Sequence, residues 1–130
     1  MILGVDLVGT NIESGTKTFN INLLNQFLKK KYKNKINIFI CKNYLKYITA
    51  ETIPKNINLI VKPNFLSINF LKIIWMQIIF PLELIKLRAS KVYSPMNYCP
   101  LICKLFKIQI ILTVHSNLPW IYFDKMPGSK

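Results

Sequence analysis

The chain has 130 residues, of which 52% are hydrophobic and 18% charged. That length suits one domain with a buried core, and that hydrophobicity excludes an intrinsically disordered chain. Eighteen Lys and Arg against five Asp and Glu give a net charge of +13, which favours contact with anionic surfaces.

Only one of the eighteen basic residues, Arg88, is Arg. Close reading of phosphates favours the Arg fork, so nucleic acid is not the expected partner. The joint excess of Lys, Ile and Asn is also what an AT-rich gene produces. The three Cys (Cys41, Cys99 and Cys103) and the single His115 do not make a zinc ligand set, and no metal or cofactor is expected. An odd count without C-x-x-C reads as buried or free thiols in a reducing cytoplasm. The N-terminal apolar stretch is broken by Asp6 and lacks a basic leader region, unlike a secretory signal.

In chain order, Met1 to Val8 reads as a strand. The segment Gly9 to Thr16 has loop chemistry. From Thr18 a helix is predicted, with Phe19, Leu23 and Phe27 at steps of four and Leu24 and Leu28 beside them. It ends in the lysine-rich run Lys29 to Lys35. Ile36 to Cys41 is a second strand, and a short helix is predicted over Asn43 to Ala50. Ile57 to Val61 is a third strand. Phe65 to Leu87 is apolar at helical spacing but is interrupted by Lys72, Gln77, Pro81 and Glu83. It reads as a buried or interfacial helix, not a membrane span, and Pro81 should kink or restart it. Lys91 to Tyr93 is a fourth strand ending at Ser94-Pro95. A brief helix over Pro100 to Phe106 and a fifth, nearly all-apolar strand over Ile108 to Val114 follow. The tail Trp120 to Lys130 completes no element.

This alternation predicts an α/β fold: a Rossmann-like, doubly wound parallel sheet covered on both faces. Residues 1–130 form one partial domain in this reading, because a sixth strand or closing helix is expected after Trp120. Ligands of such sheets bind beyond the C-terminal strand ends. Gly9 to Thr16 has that address: it is either a plain turn with a helix cap or a phosphate-binding loop at a helix N-terminus. His115, at the end of strand five, is either a strand-end cap or a proton-handling group. No nucleophile elbow supports a Ser-His-Asp triad, and Glu83 reads as structural.

Three segments resemble the N-terminal domain of the retaining group 1 (family 4) glycosyltransferases of GT-B fold. Ser14-Gly15-Thr16-Lys17-Thr18-Phe19-Asn20-Ile21-Asn22-Leu23-Leu24 is similar to the family's glycine stretch followed by an aromatic and Asn-Leu-Leu, with Ser14 in place of the first Gly. Trp75-Met76-Gln77 followed by Phe80-Pro81-Leu82, then Tyr93-Ser94-Pro95, is similar to its Trp-Glu-Gln, Leu-Pro and Ser-Pro strand end. Met76 stands where Glu is common. Ile110 to Ser116 resembles its strand ending in Thr-x-His-Asp, with Ser116 replacing Asp.

The resemblance implies the N-terminal half of a GT-B fold, incomplete, and an enzyme that moves a sugar from a nucleotide-sugar donor to a glycan or lipid-linked acceptor with retention. It implies Ser14, Gly15 and Thr16 at the donor diphosphate, His115 as the catalytic-cleft residue, and Ser94, Asn97 and Ser116 on the acceptor side. The donor-binding C-terminal domain is absent from these residues, so the fragment alone is expected to be inactive. The family also implies a cytoplasmic protein peripheral on the inner face of the cell membrane, with Lys29 to Lys35 and Phe65 to Leu87 facing anionic lipid. The competing reading is a non-catalytic basic α/β module on an anionic membrane surface or nucleic acid.

Overall fold

A computed structural model describes residues 1–8 and 15–115. The fold is α/β, with five strands forming one all-parallel sheet: β1 (Ile2–Asp6), β2 (Lys35–Cys41), β3 (Ile57–Lys62), β4 (Lys91–Ser94) and β5 (Gln109–Leu112). Their order is β3-β2-β1-β4-β5. The chain therefore steps outward on one side of β1, returns across it, and steps outward on the other side. That order is compatible with a Rossmann-like sheet and places a topological switch point between β1 and β4.

Helix α1 (Gly15–Lys29) joins β1 to β2. It begins at Gly15, earlier than the Thr18 start predicted, so Gly15 and Thr16 belong to its first turn instead of a loop. Its buried line is Asn20, Leu24 and Leu28. Of the predicted stripe, Leu24 and Leu28 are buried, Leu23 and Phe27 are partly buried against the core, and Phe19 lies at its margin. Phe19 is 37% exposed. The predicted helices near Asn43 and Pro100 are short 3₁₀ turns, Lys42–Tyr47 and Leu101–Phe106.

The long apolar segment is a composite. A 3₁₀ turn (Asn64–Ser67) leads into α2 (Asn69–Ile74), a π-turn (Trp75–Ile79) and α3 (Phe80–Lys86). The π-turn answers to Pro81. Proline cannot donate to the fourth residue back, and a widened turn just before it absorbs the misfit. Phe80 N–H accordingly donates to Trp75 O, five residues back. Trp75, Phe80, Pro81 and Leu84 are buried while Ile73, Ile78 and Leu82 are exposed, so one side of the segment packs on the sheet. No helix among the described residues is long and apolar enough to cross a membrane.

The core lies on both faces of the central strands. Beyond Lys35 every residue of β2 is buried. On one face Phe39 packs against Phe80 edge-on at 5.0 Å and against Trp75 at 5.8 Å. Gly4, two residues before Asp6, is on this face too. Right-handed crossovers put α1 on the other face, against Val5, Ile38 and Ile40, all fully buried. Strand β5 departs from the predicted pattern. It was expected to be buried on both sides, yet Ile111 and Leu112 are 42% and 39% exposed. It is the sheet's edge strand, and among the described residues only the Leu101–Phe106 turn packs on it to any extent.

A Cβ placed at Gly4 would overlap Leu84 Cδ2. Glycine is needed there for close approach of α3 to the sheet. Gly4→Ala should lower the unfolding free energy by about 1–3 kcal/mol, read from urea melts. In a Leu84→Ala background the same substitution should cost less, since the obstructing methyl is gone. Equal cost in both backgrounds would refute the close packing.

Candidate functional site

Parallel strands all end at one edge, and the switch point opens there. Strand β4 ends with buried Ser94, Pro95 and Met96, then exposed Asn97. Strand β5 is prolonged by Thr113 N–H donating to Ser94 O at 3.0 Å, which carries the chain to His115. Asn97 Oδ1 accepts from His115 N at 2.7 Å, and His115 Nε2 lies 2.6 Å from Pro95 O. A carbonyl only accepts, so Nε2 carries the hydrogen and Nδ1 becomes the ring's acceptor. The Phe19 ring, just past the first turn of α1, meets the imidazole edge-on at 4.8 Å. Three separate stretches of sequence thus hold one imidazole: the start of α1, the β4 loop and the end of β5.

The predicted site residues divide accordingly. His115 and Asn97 are brought together, and α1 reaches them through Phe19. The strand-end cap foreseen as one alternative for His115 is present, through its ring, and it leaves one ring nitrogen for other chemistry. Ser94 is not presented on the acceptor side as expected. It is fully buried, and its Oγ donates to Tyr98 O at 2.8 Å, closing the loop after β4. A hydroxyl at the last position of a buried strand is drawn into its own turn. Gly15 has open space where a Cβ would stand, so its position does not demand glycine. Ser14 and Ser116 lie outside the described residues.

Sequence reasoning gave Asp6 no site role. It is the last residue of β1 and is fully buried. Its Oδ1 accepts from Val8 N at 3.1 Å and from Trp75 Nε1 at 3.2 Å. Among the described residues Oδ2 has no hydrogen-bond partner. Burial pushes the carboxyl from 3.8 up to about 6, against the opposing pull of the Trp75 and Val8 hydrogen bonds and of the Lys72 charge. The available signal was an acidic residue closing an apolar strand, with a Trp elsewhere able to donate. Beside it Lys62 pairs with Glu83 at 3.2 Å and lies over the Trp75 and Phe39 rings at 5.5 and 5.9 Å. The structural reading of Glu83 therefore agrees with its ion pair.

The thiols are free. Cys41 Sγ lies 3.4 Å from Val8 O and 3.7 Å from Pro63 O, tying two strand-end loops. Burial raises both Cys41 and Cys103 to about 11, which keeps them as unreactive thiols. No group of three His, Cys, Asp or Glu among the described residues is placed to hold a metal ion. The lysine run lies away from this edge. Lys29 ends α1 and Lys35 begins β2, so the run sits at the N-terminal strand ends. The exposed Phe65, Ile68 and Phe70 lie near the opposite end, following β3.

The Asp6 carboxyl sets a sign for stability against pH. Its folded value near 6 lies above its ordinary 3.8, so the folded state holds more protons between those values. Stability should fall as pH rises through that window, by about 3 kcal/mol at most. Asp6→Asn should remove this slope, measured as the difference between wild-type and variant urea midpoints. Parallel profiles for the two proteins would show that Asp6 titrates normally.

The chain matches no known protein family, no curated protein and no solved structure.

Proposed function

We propose that this domain is the acceptor-side half of a retaining nucleotide-sugar glycosyltransferase of GT-B fold. The observation that carries the reading is the held imidazole: His115 at the C-terminal edge, its Nε2 on Pro95 O and its backbone on Asn97. A neutral ring so oriented offers Nδ1 to a sugar or acceptor hydroxyl. The strand order, compatible with a Rossmann-like half, and the motif resemblance support the same reading.

In this proposal a glycan or lipid-linked acceptor sits over Asn97 and His115. The N-terminus of α1 faces the donor diphosphate, where the positive end of the helix dipole favours negative charge. Charge on the leaving diphosphate is stabilised mainly by a second, donor-binding domain. The enzyme is cytoplasmic and peripheral on the membrane. A second reading, a non-catalytic basic module on anionic lipid or nucleic acid, draws on the exposed lysines between Lys29 and Lys35. The separation of those lysines from the His115 edge makes the two readings distinguishable.

Titration of the chain with oligosaccharide and lipid-linked acceptors, followed by NMR, should move the Phe19, Asn97 and His115 signals and leave Lys29 to Lys35 unmoved. His115→Ala and Asn97→Ala should each weaken that binding about fivefold to tenfold, the value of one hydrogen bond of about 1 kcal/mol. Shifts confined to the lysine run, produced by nucleic acid and lost steeply with salt, would overturn the acceptor reading in favour of the second one.

A further inference from the structure

A cavity of about 370 Å³ opens between α2, the π-turn and the loop after β4, lined by Lys72, Ile73, Met76, Gln77 and Tyr98. That volume falls within the range of small-ligand sites, about 300–1,000 Å³. Most of its wall is carbon. The polar ends of Gln77 are engaged: Nε2 donates to Cys99 O at 3.0 Å, and Oε1 accepts from Leu101 N at 3.2 Å. The Tyr98 hydroxyl points to Met96 Sδ at 3.3 Å.

Lys72 is the one charged group among these lining residues. Its ammonium lies 4.4 Å from the centre of the Tyr98 ring. An ammonium has three donors, and a ring face engages it from one side only. The buried Asp6 carboxyl acts on this ammonium only at electrostatic range, without a hydrogen bond to it, so on the cavity side a half-buried cation against a carbon wall gains most from an anion delivered with apolar surface attached. The lip has the same character: Ile73 is 59% exposed, and Phe70, one turn earlier on α2, is 70% exposed.

We propose that this cavity binds an anionic amphiphile, with a single phosphate or carboxylate head on Lys72 and an aliphatic chain against Ile73 and Met76. The cavity shares the loop after β4 with the His115 edge, but Pro95, Asn97 and His115 are not among its lining residues, and the proposal stands whether or not the chain takes part in sugar transfer.

Calorimetry with octyl phosphate, octanol and inorganic phosphate tests it. Octyl phosphate should bind saturably and at least about tenfold more tightly than either comparator, as expected for a charge-assisted contact added to apolar burial. Lys72→Met, close in shape, should erase the advantage over octanol while leaving octanol binding in place. Ile73→Glu, at an exposed position, should weaken octyl phosphate alone. Circular dichroism of both variants checks that they fold. Displacement of octyl phosphate by phosphatidylcholine vesicles containing phosphatidic acid would assign the head to bilayer lipid, and failure to displace would assign it to a free amphiphile; both outcomes support the site. Equal affinity for octanol and octyl phosphate, or undiminished preference in Lys72→Met, would overturn it.

Discussion

A buried carboxylate joins the parts of this molecule. Asp6 ends β1, and through one oxygen it takes the Val8 N–H that starts the next loop and the indole N–H of Trp75 from the π-turn. An ionised group in an apolar interior is costly unless its hydrogen bonds are made. Those bonds therefore set where the long helical segment rests on the sheet. Trp75 then stacks with Phe80 at 5.5 Å, both rings meet Phe39, and Lys62 lies over the cluster. Gly4, two residues before Asp6, lets Leu84 close the other end of the same contact.

The widened turn at Trp75 has a covalent cause in Pro81 and a packing consequence. With Phe80 bonded five residues back, Trp75 and Phe80 both turn inward on the same side. The exposed face of the same segment keeps Phe70, Ile73, Ile78 and Leu82 outside. Lys72 lies between these faces, close enough to Asp6 to feel its charge, while burial pulls its own ionisation below the usual lysine range.

The edge site has a different logic. His115 is not buried; it is held by three partners from two places in the chain, the loop after β4 and the start of α1. Pro95 supplies a carbonyl, Asn97 a side-chain acceptor and Phe19 a ring edge. Buried Ser94 and Met96 anchor the loop that presents Asn97. The same flank of the sheet carries exposed apolar side chains among the described residues. Leu105 is 80% exposed and Val114 55%, beside β5, the outer strand among the described residues.

Sequence alone determined the alternation of strands and helices, the parallel sheet, the break at Pro81 and the address of His115 at a strand end. These rest on local periodicity and on residue types with fixed backbone chemistry. Within the apolar stripe of α1, Leu24 and Leu28 turn inward as read, while Phe19 is left at the margin and Asn20 is buried, a choice that only packing makes. Burial of β5 was overestimated, since an apolar strand reads alike at the centre and at the edge of a sheet. Tertiary structure alone decided that Asp6 meets a tryptophan 69 positions away, that Ser94 turns into its own loop, and that the lysine run lies across the sheet from the exposed phenylalanines. Each of these depends on which distant residues become neighbours, and the spacing of residues along one strand or helix carries no record of that.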